Sequence, residues 1–230
     1  MAQMTEQDIL NAAFYLLEQD NTLWDPESSE YETARGILQL GIIRWENYDN
    51  TLWKELIQSL EDAPDGDKTI VAATYAYDCP AKFARGISLV RTIGSDGTIR
   101  FWTPKPSTSL AALAADTSDF CYFLGNKRDG FTLNFNPKAS LPAAGDTIDY
   151  EMLLVADRTD SEDDQPQMSN TDFLAYWVAA HMADGGIDQN FFGIAEDLLK
   201  EMKDNNEDDN IFNSSNNVPF TVDDDAGMGT

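Results

Sequence analysis

The chain has 230 residues, 42% apolar and 11% aromatic, which is enough for one large domain or two small ones around a sizeable core. Its 41 Asp and Glu against 15 Lys and Arg leave a net charge of -26, which argues against direct neutralisation of nucleic-acid phosphates, since that needs clustered cations. No apolar run approaches the ~18 residues of a membrane-spanning helix, and the opening Met1-Ala-Gln-Met-Thr-Glu-Gln-Asp8 has no basic and then apolar leader, so neither membrane anchoring nor a signal peptide is expected.

Thr5 with Asp8 three residues on forms a capping box before a first helix, whose Ile9, Leu10, Ala13, Leu16 and Leu17 share one face. Asp20 and Asn21 end it, and Trp24 and Pro26 lie in the connection. Ser28 and Ser29 start a second helix carrying Tyr31, Ala34, Ile37, Leu38, Gly41, Ile42 and Trp45. Its internal glycines, Gly36 and Gly41, mark close approach of a neighbouring helix or are tolerated at a cost of ~1 kcal/mol each. Asn50 or Thr51 caps a third helix over residues 52–60, ended by the turn Glu61-Asp-Ala-Pro-Asp-Gly-Asp67.

From Lys68 the period changes to two. Residues 69–77 are β-prone, and residues 82–91 lead into a strand. Gly94-Ser-Asp-Gly97 is a hairpin turn returning through Thr98-Ile-Arg-Phe-Trp-Thr103, which Pro104 and Pro106 stop. A short Ser-capped helix is expected over 107–115. Strands at 120–124 and 131–135 flank the turn Gly125-Asn-Lys-Arg-Asp-Gly130, and a last strand runs over 147–156. A polar loop, 158–170, then gives way to helices over 171–182 and 187–203. Beyond Asp204 there is no Lys or Arg, and the apolar islands Ile211-Phe212 and 218–222 interrupt an Asn- and Asp-rich stretch that reads as an arm. The expected architecture is α+β: a helical bundle of 1–64 and 168–203, an inserted antiparallel β-sandwich or barrel over 65–167, and an extended acidic arm over 204–230.

Five stretches in this order carry a resemblance. They are Asp8-Ile-Leu-Asn-Ala-Ala-Phe-Tyr-Leu-Leu17, the helix ending at Trp45 before Asn50-Thr-Leu-Trp53, Thr74-Tyr-Ala-Tyr-Asp-Cys-Pro-Ala-Lys-Phe83, Leu133-Asn-Phe-Asn-Pro137, and the terminal strand followed by a Pro166-containing loop and an Ala-rich helix. Together, over about residues 5–203, they resemble the head-to-tail adaptor (connector) proteins of tailed bacteriophages, of the tail-tubular type. Cys79 stands where that family has leucine and Lys82 where it often has aspartate. The ending Leu154-Val-Ala-Asp-Arg158 lacks the family's tyrosines, and the stretch after Asp204 has no counterpart.

The resemblance implies a structural virion protein of the neck, made in the host cytoplasm. It would form a homo-oligomeric ring, expected to be a dodecamer, that binds beneath the portal protein and docks the tail or nozzle proteins. Double-stranded DNA would pass through the lumen without specific binding. Phe212, Val218, Phe220 and Val222 are then the anchors of the arm. Asp160, Glu162, Asp163 and Asp164, in the polar loop, are a contact surface with ring neighbours or the portal. The alternatives are a tail or capsid accessory protein whose β-sandwich binds carbohydrate or protein, and an acidic hydrolase of cell-wall glycan. The acidity also suits simple solubility or a saline source.

No catalytic, cofactor or metal residue is assigned. His181, the single histidine, has no Asp or Cys at ligand spacing and reads as structural. Glu162-Asp-Asp164 and Asp223-Asp-Asp225 lack the alternating spacing of a calcium loop. The Gly-bounded turns lack a phosphate-loop Lys-Ser/Thr, and Ser107, Thr108 and Ser109 have no nucleophile-elbow pattern. Cys79 and Cys121 are too far apart for a zinc or disulfide framework and read as buried small hydrophobes. Trp45 and Trp53 read as core or inter-subunit packing.

Overall fold

The computed structural model describes residues 3–18, 25–106 and 115–211. It is a mixed α+β fold with four α-helices and two sheets among the described residues. The chain divides into two units, Met1–Lys54 with Arg158–Thr230, and Glu55–Asp157. Among the described residues, every helix longer than one turn lies in the first unit and every strand in the second.

In the helical unit, α1 (Glu6–Glu18) begins where expected. Thr5 Oγ1 accepts from the Asp8 amide and Asp8 Oδ2 from the Thr5 amide, both at 3.2 Å. Ile9, Leu10 and Ala13 are fully buried. Ser28 caps α2 (Ser29–Glu46) by accepting from the Tyr31 amide at 3.1 Å. The buried face of α2 is Tyr31, Ala34, Leu38, Gly41, Ile42 and Trp45. Trp45 stacks on Trp53 at 5.4 Å, and Trp53 Nε1 donates to the Trp45 carbonyl at 2.7 Å, so this pair is core.

Only one of the two α2 glycines marks a close approach. A Cβ on Gly41 would stand 2.7 Å from Leu174 Cδ2 and 2.9 Å from Trp177 Cδ1, both on α3 (Asp172–Met182). Gly36 faces nothing within 4 Å. Asp188 Oδ1 accepts from the Asn190 and Phe191 amides and so caps α4 (Gln189–Ile211).

This last helix corrects the expected boundary of the arm, since residues 204–211 continue it. Helix propensity argues against such an Asn- and Asp-rich turn, but tertiary contacts override it. Asn206 is 4% exposed, donates to the Leu52 carbonyl at 2.9 Å and accepts from the Lys54 amide at 2.9 Å. Lys203 adds an ion pair with Asp49.

The expected third helix does not form. One tight turn at Lys54–Leu56 leads into β1 (Ile57–Ser59), which pairs with β9 (Glu151–Leu154) in the register Gln58 to Met152. Residues 55–64 therefore belong to the strand-rich unit. The stretch 69–77 is strand only at β2 (Ala76–Asp78). Before it, Tyr77 Oη accepts from the Val71 amide at 3.1 Å and donates to the Thr74 carbonyl at 2.9 Å, holding a turn in which Ala73 has φ 59.

The remaining strands are β3 (Phe83–Gly86), β4 (Val90–Ile93), β5 (Ile99–Pro104), β6 (Phe120–Asn126), β7 (Gly130–Phe135) and β8 (Thr147–Asp149). One sheet has the order β1-β9-β3 and the other β2-β7-β6-β5-β4-β8. The expected last strand is thus two. It breaks at buried Tyr150, sending β8 into one sheet and β9 into the other. The pairing is antiparallel except between β5 and β6, which pair in parallel with Thr103 against Phe120 and Pro104 against Cys121. Pro104 is the last residue of β5, one residue past the expected end at Thr103. The helix expected over 107–115 lies outside the described residues but for Ala115.

One core serves both sheets. Phe83 from the smaller sheet and Phe123 from the larger meet at 4.9 Å, and Trp102 lies edge-on to Phe135 at 4.6 Å. Both cysteines are free and buried in this core. Burial pushes the Cys79 thiol up to about 11 and the Cys121 thiol up to about 12. Because the thiolate is the reactive form, at pH 8 an aromatic disulfide reagent should modify both at least ~100-fold more slowly in the native protein than in denaturant. Rapid native labelling of either would contradict this placement.

Candidate functional site

The sequence points to the polar loop 158–170, and the structure shows how the helical unit seats it. Arg158 leads in and donates to Glu46 Oε2 at 2.9 Å, a carboxylate whose side chain is 6% exposed. Gln39 Nε2, on α2, donates to the Thr159 carbonyl at 2.8 Å and to its hydroxyl at 2.6 Å. Asp164 Oδ2 then accepts from the amides of Asp160 (2.7 Å) and Ser161 (2.9 Å), closing a tight turn. Those two amides hold the Asp164 carboxyl below its ordinary range.

The same turn satisfies the open end of α1. The Glu6 amide donates to the Asp164 carbonyl at 2.8 Å and the Gln7 amide to the Glu162 carbonyl at 3.1 Å, and the Gln3 side chain donates to the carbonyls of Pro166 and Met168. Backbone bonds from α1 together with the Gln3, Gln39 and Asp164 side chains thus fix the loop, while the Asp160, Glu162 and Asp163 side chains stay exposed and Asp164 is half-buried.

Under the loop lies Glu6, fully buried, with Oε1 2.8 Å from Arg35 Nε. An open cleft of about 500 Å³ is lined by Arg35, Gln39, Arg158 and Thr159, with Glu32 and Asp160 among its acidic residues. Its two guanidinium groups are each neutralised by a buried carboxylate, Glu6 and Glu46. Gln39 Oε1 and Arg158 Nη1 are buried and face no hydrogen-bond partner. Both atoms are closed off from solvent, and the residues that line the cleft pair no nucleophile with a base.

Burial raises the Glu6 pKa above 4.5, against the opposing pull of the Thr159 hydroxyl and the Arg35 guanidinium. A raised carboxylate favours folding in its protonated form, so its contribution is complete below the unfolded pKa and is lost as pH rises through the folded pKa. The stability of the native chain relative to Glu6→Gln should accordingly fall as pH rises out of the ordinary carboxyl range, as read from denaturant midpoints. A difference independent of pH would contradict the assignment.

Of the residues expected at the site, Asp160, Glu162, Asp163 and Asp164 come together in this one turn. Phe212, Val218, Phe220 and Val222 lie outside the described residues. Glu6, Arg35, Gln39 and Glu46 were missed, because each meets a partner far away in sequence. The one local signal is Glu6 itself, a charge three and four residues before Ile9 and Leu10 on a buried helical face.

His181 lies elsewhere in the unit. Its Nδ1 is 2.8 Å from the Trp177 carbonyl, and its ring stacks on Trp177 at 4.3 Å. Among the described residues no group of three or more His, Cys, Asp or Glu is placed to hold a metal ion, and no helix is long and apolar enough to cross a membrane. Compared with known protein families and with curated proteins, the chain matches no family model and no curated protein.

Proposed function

We propose that this protein is a head-to-tail adaptor of a tailed bacteriophage virion, a ring subunit that binds beneath the portal, extends the DNA channel and docks the tail. In this reading the helices before and after the strands form one bundle, and the strand-rich unit is a sandwich-like domain inserted in the chain between them. The observation that carries the reading is the grouping of residues 1–54 with residues 158–230, with α3 packed on both α1 and α2 while every strand among the described residues falls in the intervening chain. That is the segment order of the family the sequence resembles.

Tyr15 (55% exposed) and Ile187 (49%) lie on the helical unit, and Val71 (57%) and Leu124 (52%) on the strand-rich unit. A closed ring needs two different patches per subunit. The charge of -26, repeated around a ring, would give the lumen few fixed cations to hold DNA.

The portal contact is tested by removing residues 212–230, which leaves α4 whole. The arm reading expects portal binding to weaken at least tenfold in a pull-down or interferometry assay, and unchanged binding would remove the arm from the interface.

A further inference from the structure

We propose that two copies of the chain pair through α2, antiparallel and about a two-fold axis, along a seam of Ser29, Thr33, Gly36, Leu40, Ile43 and Asn47. All six positions are exposed, with Leu40 at 58% and Ile43 at 40%. Their spacing alternates four and three residues over five turns, the a/d pattern of a helix that meets another helix. The buried residues of α2 lie on its opposite side. The residues of the two stretches that form the helical unit include 27 Asp and Glu against six Lys and Arg, yet none of these six positions is charged.

The seam is self-complementary in one direction only. Its N-terminal half is small and its C-terminal half is large. An antiparallel copy sets Gly36 against Leu40 of the second copy, Thr33 against Ile43, and Ser29 against Asn47. A parallel copy would set small on small and large on large. Gly36, with nothing within 4 Å of where its Cβ would stand, leaves the hole that Leu40 fills.

The flanking charges agree. Glu30, Ile37 and Arg44 border one side of the seam, so antiparallel pairing brings Glu30 to Arg44 of the second copy and Ile37 to Ile37. Arg44 donates to Glu196 within its own chain and is 44% exposed at its side chain. On the other flank Glu32 meets the position of Glu46, whose charge is already held by Arg158. The contact is isologous, whereas a ring's side contacts are heterologous, so it does not depend on the adaptor reading.

The net charge of both copies opposes association, so salt should favour it. Sedimentation of the full chain at 0.5 M NaCl is expected to show a concentration-dependent dimer that weakens at low salt. Leu40→Asp and Gly36→Leu should each weaken it at least tenfold without loss of the helical circular dichroism signal. Glu30→Arg should weaken it, and adding Arg44→Glu should restore it. Mixed Gly36→Cys and Leu40→Cys chains should cross-link faster than either alone. A monomer at all concentrations, a dimer indifferent to Leu40→Asp, or Gly36→Cys chains cross-linking alone as fast as the mixture would overturn the proposal.

Discussion

Gly41→Val should lower the stability of the helical unit by about 3 kcal/mol, and Gly41→Ala by about 2 kcal/mol, despite the gain in helix propensity. The added carbon has no room, because it would stand 2.7 Å from Leu174 and 2.9 Å from Trp177. Trp177 is not free to swing aside. Its Nε1 donates to the Ile37 carbonyl on α2 at 3.2 Å, and its ring packs in a triad with His181 at 4.3 Å and Phe192 at 5.8 Å. Relief therefore requires α2 and α3 to move apart. Gly36→Ala, five residues earlier in the same helix, should instead stabilise by up to about 1 kcal/mol, since its site is open. Urea unfolding followed by tryptophan fluorescence, at concentrations where the chain is monomeric, compares the two. Equal effects at both positions would contradict the helix contact.

Trp102→Ala should cost about 3–5 kcal/mol and unfold the strand-rich unit at the lowest denaturant concentrations. Trp102 is fully buried, edge-on to Phe135 at 4.6 Å, with its Nε1 donating to Thr92 Oγ1 at 3.2 Å and the Arg100 guanidinium 4.4 Å from its ring. Trp102→Phe keeps most of the apolar volume but leaves Thr92 without its donor, so its cost should be smaller, about 1–2 kcal/mol. If Trp102→Ala left unfolding of this unit unchanged, the shared core of the two sheets would be wrongly drawn.

The elements legible in sequence are those whose signals are local. The capping box at Thr5, the Ser28 cap and the Gly94-Ser-Asp-Gly97 turn need only neighbours, and each forms as written: Gly94 donates to the Thr98 carbonyl at 2.8 Å, and Gly97 takes φ 81. Where the reading failed, a distant partner outweighed local preference. Residues 57–59 have helical spacing but are claimed by β9, almost a hundred residues later. Residues 204–211 have poor helix formers but are held by Asn206 bridging Leu52 and Lys54. The same logic governs the candidate site. The acidic loop was visible as composition, whereas the buried Glu6–Arg35 and Glu46–Arg158 pairs that seat it were not.

The most direct test of the adaptor reading is a low-resolution electron-microscopy image of the purified protein mixed with the portal protein of the same virus. The account predicts an added ring of density, with the portal's rotational axis, on the portal face that receives the tail. Portal particles left bare at saturating protein, with the protein remaining free in solution, would contradict it.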